Sequence, residues 1–172
     1  MESRYWTLLV LVAATLACSA SPKPEPRSSE AEIRAIHAMY DAWMEDFEAK
    51  GPDGYAAHFA KNGGLLPPKQ APVLGKERIR VWVEDFTEQL TLEVAELNWD
   101  EVKVSGDLGF ARYHGTGKYI FKSRREEIAF DQKYLDVLQK RQDASWEIVY
   151  HSWTSSDYDP SLWDTQWNTE GN

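Results

Sequence analysis

Cysteine is almost missing from this chain: Cys18 is the only one in 172 residues, so the folded part can contain no disulfide and no thiolate metal site. Basic charge is also short. Nineteen Lys and Arg against 28 Asp and Glu leave a net charge of -9, which excludes the basic face that a nucleic-acid partner requires. The one basic cluster, Lys122-Ser123-Arg124-Arg125, runs straight into Glu126-Glu127 and reads as a solvated turn. Apolar runs long enough to span a bilayer are lacking too, since the run at 5–17 has 13 residues. No His-Glu-x-x-His pattern or other ligand spacing joins His37, His58, His114 and His151, so neither a metal nor a cofactor is expected. The acid pairs Glu84-Asp85 and Glu126-Glu127 are adjacent in sequence and cannot share a face, which excludes a glycosidase pair. No internal repeat is present.

Aromatic residues, by contrast, are plentiful, with eight Trp, eight Tyr and six Phe. With 42% apolar residues, they suffice for one globular domain with its own core. The N-terminal apolar run follows Arg4 and gives way to small residues, which is the pattern of a signal peptide over 1–17. Thr15-Leu16-Ala17-Cys18 is similar to a lipobox, with Leu two residues before the cysteine where three is usual. Lipidation at Cys18 in a bacterial cell envelope is therefore expected, and cleavage after Ala20 with simple secretion is the alternative. Residues 18–28 include three prolines among charges and read as an extended tether.

The domain is expected over 29–156, with a polar tail at 157–172 that retains Leu162, Trp163 and Trp167. Ser29 and Glu32 form a capping box, in which each side chain satisfies a free N–H at a helix start. Ile33, Ile36, His37, Tyr40, Met44 and Phe47 then define one apolar helical face. Gly51-Pro52-Asp53-Gly54 ends that helix, and one or two helical turns follow over 55–60. Gly63-Gly64-Leu65-Leu66, stopped by Pro67-Pro68, predicts a small edge strand. Ile79, Val83, Phe86 and Leu90, with Trp82 beside them, predict a second long helix over 76–90. Four strands are expected at 92–104, 109–121, 128–140 and 145–153, and the last two form a hairpin around the polar turn 141–145. Helices followed by a run of strands suggest an α+β domain with helices covering one face of a curved, mainly antiparallel sheet.

These motifs carry a resemblance. His58-Phe59-Ala60, Leu65-Leu66-Pro67-Pro68 and Pro72-Val73-Leu74-Gly75-Lys76-Glu77-Arg78-Ile79 resemble the entry of SnoaL-like, ketosteroid-isomerase-like domains. Ser105-Gly106-Asp107, Lys133-Tyr134-Leu135-Asp136-Val137 and Asp143-Ala144-Ser145-Trp146-Glu147-Ile148 resemble the branch called domain of unknown function 4440. The resemblance implies the cone-shaped nuclear transport factor 2-like fold, with a pocket between helices and sheet and frequent homodimers through the outer sheet face. It does not by itself select a reaction.

Ketosteroid isomerases take a proton with a carboxylate just after the first strand and stabilise the enolate with a tyrosine and a protonated acid; this is the worked case for such chemistry. Here that base position holds Leu66 or Pro67, neither of which can act as a base. The tyrosine would fall near Trp43 or Met44, one turn from Tyr40, and the second acid falls within one residue of Asp136. His151 is the remaining candidate, either as a general base near neutrality or as a hydrogen-bonded wall residue. Its face is expected to include Trp153, Val149 and Glu147. Arg112 and His114 share a strand face whose direction is open; turned inward, Arg112 would favour a carboxylate-bearing ligand. The expected site is thus His151, Asp136 and Tyr40 as reactive groups, with Met44, Trp82, Phe86, Arg112, Tyr134 and Trp153 as pocket wall. Three functions stay open: binding of a small apolar molecule, isomerase, dehydratase or cyclase action on a small apolar carbonyl compound, and assembly through a dimer.

Overall fold

A computed structural model describes residues 29–155; the leader, Cys18, the tether, residue 156 and the tail lie outside the described residues. Helix α1 (Glu30–Lys50) starts where Ser29 Oγ accepts from the Glu32 amide at 3.1 Å. The second half of the expected capping box is absent. Glu32 instead accepts from Lys140 Nζ at 2.6 Å, a charged partner that ties the start of α1 to the far end of the sheet. The buried stripe of α1 is Ile36, Met39, Tyr40 and Trp43, rotated from the expected face, so Trp43 enters the core and Met44 sits at its margin. Helix α2 (Pro52–Ala57) opens with Pro52 in its first turn, earlier than expected, because proline there needs no N–H partner.

Strand β1 (Phe59–Leu66) therefore begins at Phe59, and β2 (Val73–Leu74), α3 (Lys76–Gln89), β3 (Leu90–Ser105), β4 (Leu108–Phe121), β5 (Glu126–Lys140) and β6 (Trp146–Ser155) follow. They form one six-stranded sheet in the order β2-β1-β6-β5-β4-β3. The expected edge strand proves to be internal: β1 pairs antiparallel with β2 and parallel with β6, and Leu65 is fully buried. Pro67 does end it. The hairpin expected at the end of the domain is β5 and β6, turned by Arg141 to Ser145, where the Asp143 carboxylate accepts from the Ser145 amide at 3.0 Å.

Curvature comes from β3. Ala95 and Asp100 are bulged out of its pairing with β4, and each bulge bends a strand and raises its twist. Gly117 lies opposite the first bulge, where an added Cβ would stand 2.1 Å from the Glu93 carbonyl oxygen. Any side chain there would force the two strands apart. The bent sheet wraps α1, so Trp99 from β3 meets His37 and Tyr40 at ring distances of 4.5 and 4.8 Å. A third bulge, at Val149, corrects the expected face of β6. It shifts the alternation so that Trp146 and Ile148, rather than Glu147 and Val149, join His151 on the buried side.

Candidate functional site

The concave face of the sheet and the helices enclose a cavity of about 150 Å³. Tyr40, Met44 and Phe47 of α1, Trp82 and Phe86 of α3, Tyr134 of β5, and His151 and Trp153 of β6 line it. The helical members come from one face of each helix, spaced three or four residues apart, and the strand members from alternate positions. Its walls are almost wholly apolar or aromatic, as ligand cavities usually are.

Beneath this floor lies Asp136, with no exposed surface. A lone carboxylate there would cost several kcal/mol of lost hydration. Three donors answer it: Tyr40 OH at 2.6 Å and Tyr113 OH at 3.0 Å both reach Oδ2, and His151 Nδ1 reaches Oδ1 at 2.8 Å. Bonds to a charged acceptor contribute about 1.5–3 kcal/mol each, so three of them offset the desolvation. Burial and then the Asp136 charge hold the Tyr40 and Tyr113 hydroxyls well above the usual tyrosine range, so both stay protonated and donate.

Each tyrosine has one hydroxyl hydrogen, and an ionised carboxylate can only accept. The two hydroxyl hydrogens and the Nδ1 hydrogen are therefore all committed to Asp136. What remains for the cavity is His151 Nε2. The imidazole is 5% exposed and held by rings on several sides: Trp43 edge-on at 5.2 Å, Tyr134 stacked at 5.6 Å and Trp153 at 5.1 Å. Its orientation is fixed by both bond and packing. With Nδ1–H donated to Asp136, a neutral His151 presents Nε2 as an acceptor or base, and a charged one presents it as a donor.

Of the expected residues, Tyr40, Met44, Trp82, Phe86, Tyr134, Trp153 and His151 meet at this cavity. Asp136 sits behind it as the common acceptor and does not line it. Arg112 does not belong to the wall. Its side chain is on the opposite sheet face, exposed, 3.4 Å from Asp100, and His114 joins the same carboxylate at 3.4 Å. Strand alternation explains the correction: Ala111, Tyr113 and Gly115 are the buried positions of β4. Tyr113 and Gln132 are the residues that sequence reasoning missed. Tyr113 pairs with Tyr134 across β4 and β5 and their rings stack at 4.8 Å; the small residues Ala111 and Gly115, two positions to either side on the same strand face, were the available signal. Gln132 shares the parity of Tyr134 and Asp136 on β5; its Oε1 accepts from Tyr134 OH at 2.8 Å and its Nε2 donates to Tyr119 OH at 2.9 Å.

The base position of ketosteroid isomerases stays empty of acid. Leu65 is buried beside His151 in the β1–β6 pairing and Leu66 beside Ser152. Among the described residues no three His, Cys, Asp or Glu side chains gather as a metal site, and no helix is long and apolar enough to cross a membrane.

No family model matches the chain, and no curated protein does. Solved structures do. A ketosteroid isomerase-like protein from Erwinia carotovora atroseptica superposes with a TM-score of 0.68 at 20% identity, covering 76% of this chain and 100% of that one. A conserved protein from Planctomyces limnophilus gives a TM-score of 0.65 at 15% identity, over 74% of this chain and 99% of that one. A nuclear transport factor 2-like protein of unknown function from Pseudomonas putida gives 0.58 at 19% identity, over 79% and 93%. At such identities the likeness is one of fold: the chain has the nuclear transport factor 2-like α+β fold that ketosteroid isomerase-like proteins share.

Proposed function

We propose that this protein binds a small, mainly apolar molecule carrying one hydrogen-bonding group, which His151 Nε2 meets in the inner cavity. One observation carries the reading: three donors around Asp136 are turned to its carboxylate, leaving His151 Nε2 as the polar atom offered from that cluster. The fold supports a small-molecule-binding domain. Native mass spectrometry of protein purified from its own cells tests the reading. A bound small molecule should be present in the native protein and lost in His151→Leu; equal retention by the variant would overturn the role of Nε2.

The same geometry favours a second reading, in which His151 is a general base for an isomerase, dehydratase or cyclase acting on a small apolar carbonyl compound. An imidazole at a cavity wall, oriented by a buried carboxylate, has the geometry for proton transfer. The leucines at the usual base position mean that such chemistry would rest on His151.

The cellular setting belongs to this proposal too. The apolar leader and Cys18 support export and lipid anchoring in a bacterial cell envelope, and the strand-turn motifs support the domain-of-unknown-function 4440 branch. Homodimer formation is supported by an apolar stripe on the outer sheet face, where Leu74, Leu135, Val137 and Tyr150 are 38–51% exposed. Val137 and Tyr150 are paired neighbours, and Leu74 and Tyr150 flank Gly64.

A further inference from the structure

A second cavity, of about 540 Å³, abuts the first. Trp82, Phe86, Tyr119, Gln132 and Trp153 line both. The four shared rings adjoin one another in a row. Trp82 and Phe86 stack on one another at 5.4 Å and 19°, Trp153 stands at 66° to Trp82, and Tyr119 stands at 81° to Phe86. No Lys or Arg lines either cavity. Asp85 lines the outer one, and among the described residues its carboxylate has no ion-pair partner. Of the nearby cations, Lys122 Nζ donates to the Thr87 carbonyl at 2.6 Å, Lys118 lies between Glu93 and Glu127, and Arg124, 3.4 Å from Glu126, covers Phe121, a wall ring of the outer cavity that is not among the four shared ones.

Aromatic rings attract cations through the negative potential of their faces, most strongly where water is scarce. A carboxylate with no ion-pair partner among the described residues adds to that attraction, and a site without a basic side chain has no cation to pair with a carboxylate or phosphate. We propose that the outer cavity receives the cationic head of an organic amine or quaternary ammonium compound, whose apolar body extends past the shared rings toward His151. This names the class of ligand for the binding site proposed above and rests on that reading. Gln132 stands at the junction. Its Oε1 and one amide hydrogen are engaged by Tyr134 and Tyr119, which leaves a second amide hydrogen for an acceptor in the ligand body.

Isothermal titration calorimetry of the full chain with three probes tests it: benzyltrimethylammonium, its neutral carbon isostere neopentylbenzene, and phenylacetate. The cation should bind at least about tenfold more tightly than the neutral isostere, with phenylacetate the weakest. Asp85→Asn, an exposed change that leaves the core alone, should weaken the cation about threefold and the isostere not at all. Phe86→Leu should weaken the cation about fivefold and the isostere less than twofold. Equal binding of cation and isostere would overturn the cation assignment while leaving an apolar pocket standing. Binding of none of the three would overturn both.

Discussion

Each face of the β5–β6 hairpin departs from the usual arrangement of a half-buried sheet at a few positions. Inside, among Phe130, Leu138, Trp146 and Ile148, are Gln132, Asp136 and His151; outside are Leu135 and Val137 on either side of Asp136, and Tyr150 next to His151. An antiparallel sheet with one solvated face ordinarily alternates apolar inward and polar outward. Both departures have a physical consequence. The inner polar groups are costly and are held by hydrogen bonds to neighbouring side chains, whereas the outer apolar groups cost little in the monomer and offer area to a second chain. Large effects on folding should therefore follow from the inner face, and effects on association from the outer one.

Asp136→Ala makes the sharpest break. It leaves two tyrosine hydroxyls and His151 Nδ1 without their common acceptor, and urea denaturation should register a loss of about 3–5 kcal/mol or outright failure to fold. A loss below about 1 kcal/mol would mean that the inner network is not what holds the floor.

Alkaline pH should open the core packed against that inner face. Burial, the largest cause, and then the Asp136 charge raise the Tyr40, Tyr55 and Tyr113 hydroxyls well above 10.0. A raised folded value means that the unfolded chain loses its protons first. The stabilisation is therefore complete below about pH 10 and is lost as pH rises further, by up to about 1.4 kcal/mol per pH unit for each of these tyrosines. Absorbance at the phenolate band should show them ionising together with loss of near-ultraviolet circular dichroism. Gradual ionisation in a protein still folded would contradict their burial.

Tyr40→Phe removes one of three bonds to the carboxylate and should cost about 1.5–3 kcal/mol, less than Asp136→Ala because Tyr113 and His151 remain. On the outer face, Leu135→Lys with Val137→Lys should change monomer stability by no more than about 0.5 kcal/mol while shifting sedimentation from dimer to monomer. If those changes unfold the chain and leave association intact, the contrast between the faces fails.

How much of this is legible in the sequence differs between the faces. The element order apart from β2, the start of α1 after Ser29, the start of α3 at Lys76 and the closing hairpin follow from capping, helical spacing, proline and alternation, which are local. The internal place of β1 is not local, since nothing within 59–66 states that β6 will pair alongside it. The bulge at Val149 defeats alternation for the same reason: one extra residue, set by the pairing with β5, moves Ile148 and Trp146 inward. Tyr40, Asp136 and His151 are visible as candidates, but 96 residues separate the first two, and their common hydrogen-bond centre exists only in three dimensions. Arg112 was legible as a functional type of residue and illegible as to direction. Parity on β4 decided it, and that parity was set by Tyr113 and Gly115 packing inward.

The most direct test of the account is which nitrogen of the neutral His151 ring carries the proton, read from its imidazole nitrogen-15 shifts in the folded protein. If Asp136 is the buried acceptor described, Nδ1 carries the proton and Nε2 is bare. A bare Nδ1 with the proton on Nε2 would mean that Asp136 does not accept from the ring, and the cavity would then be offered a fixed donor in place of an acceptor or base.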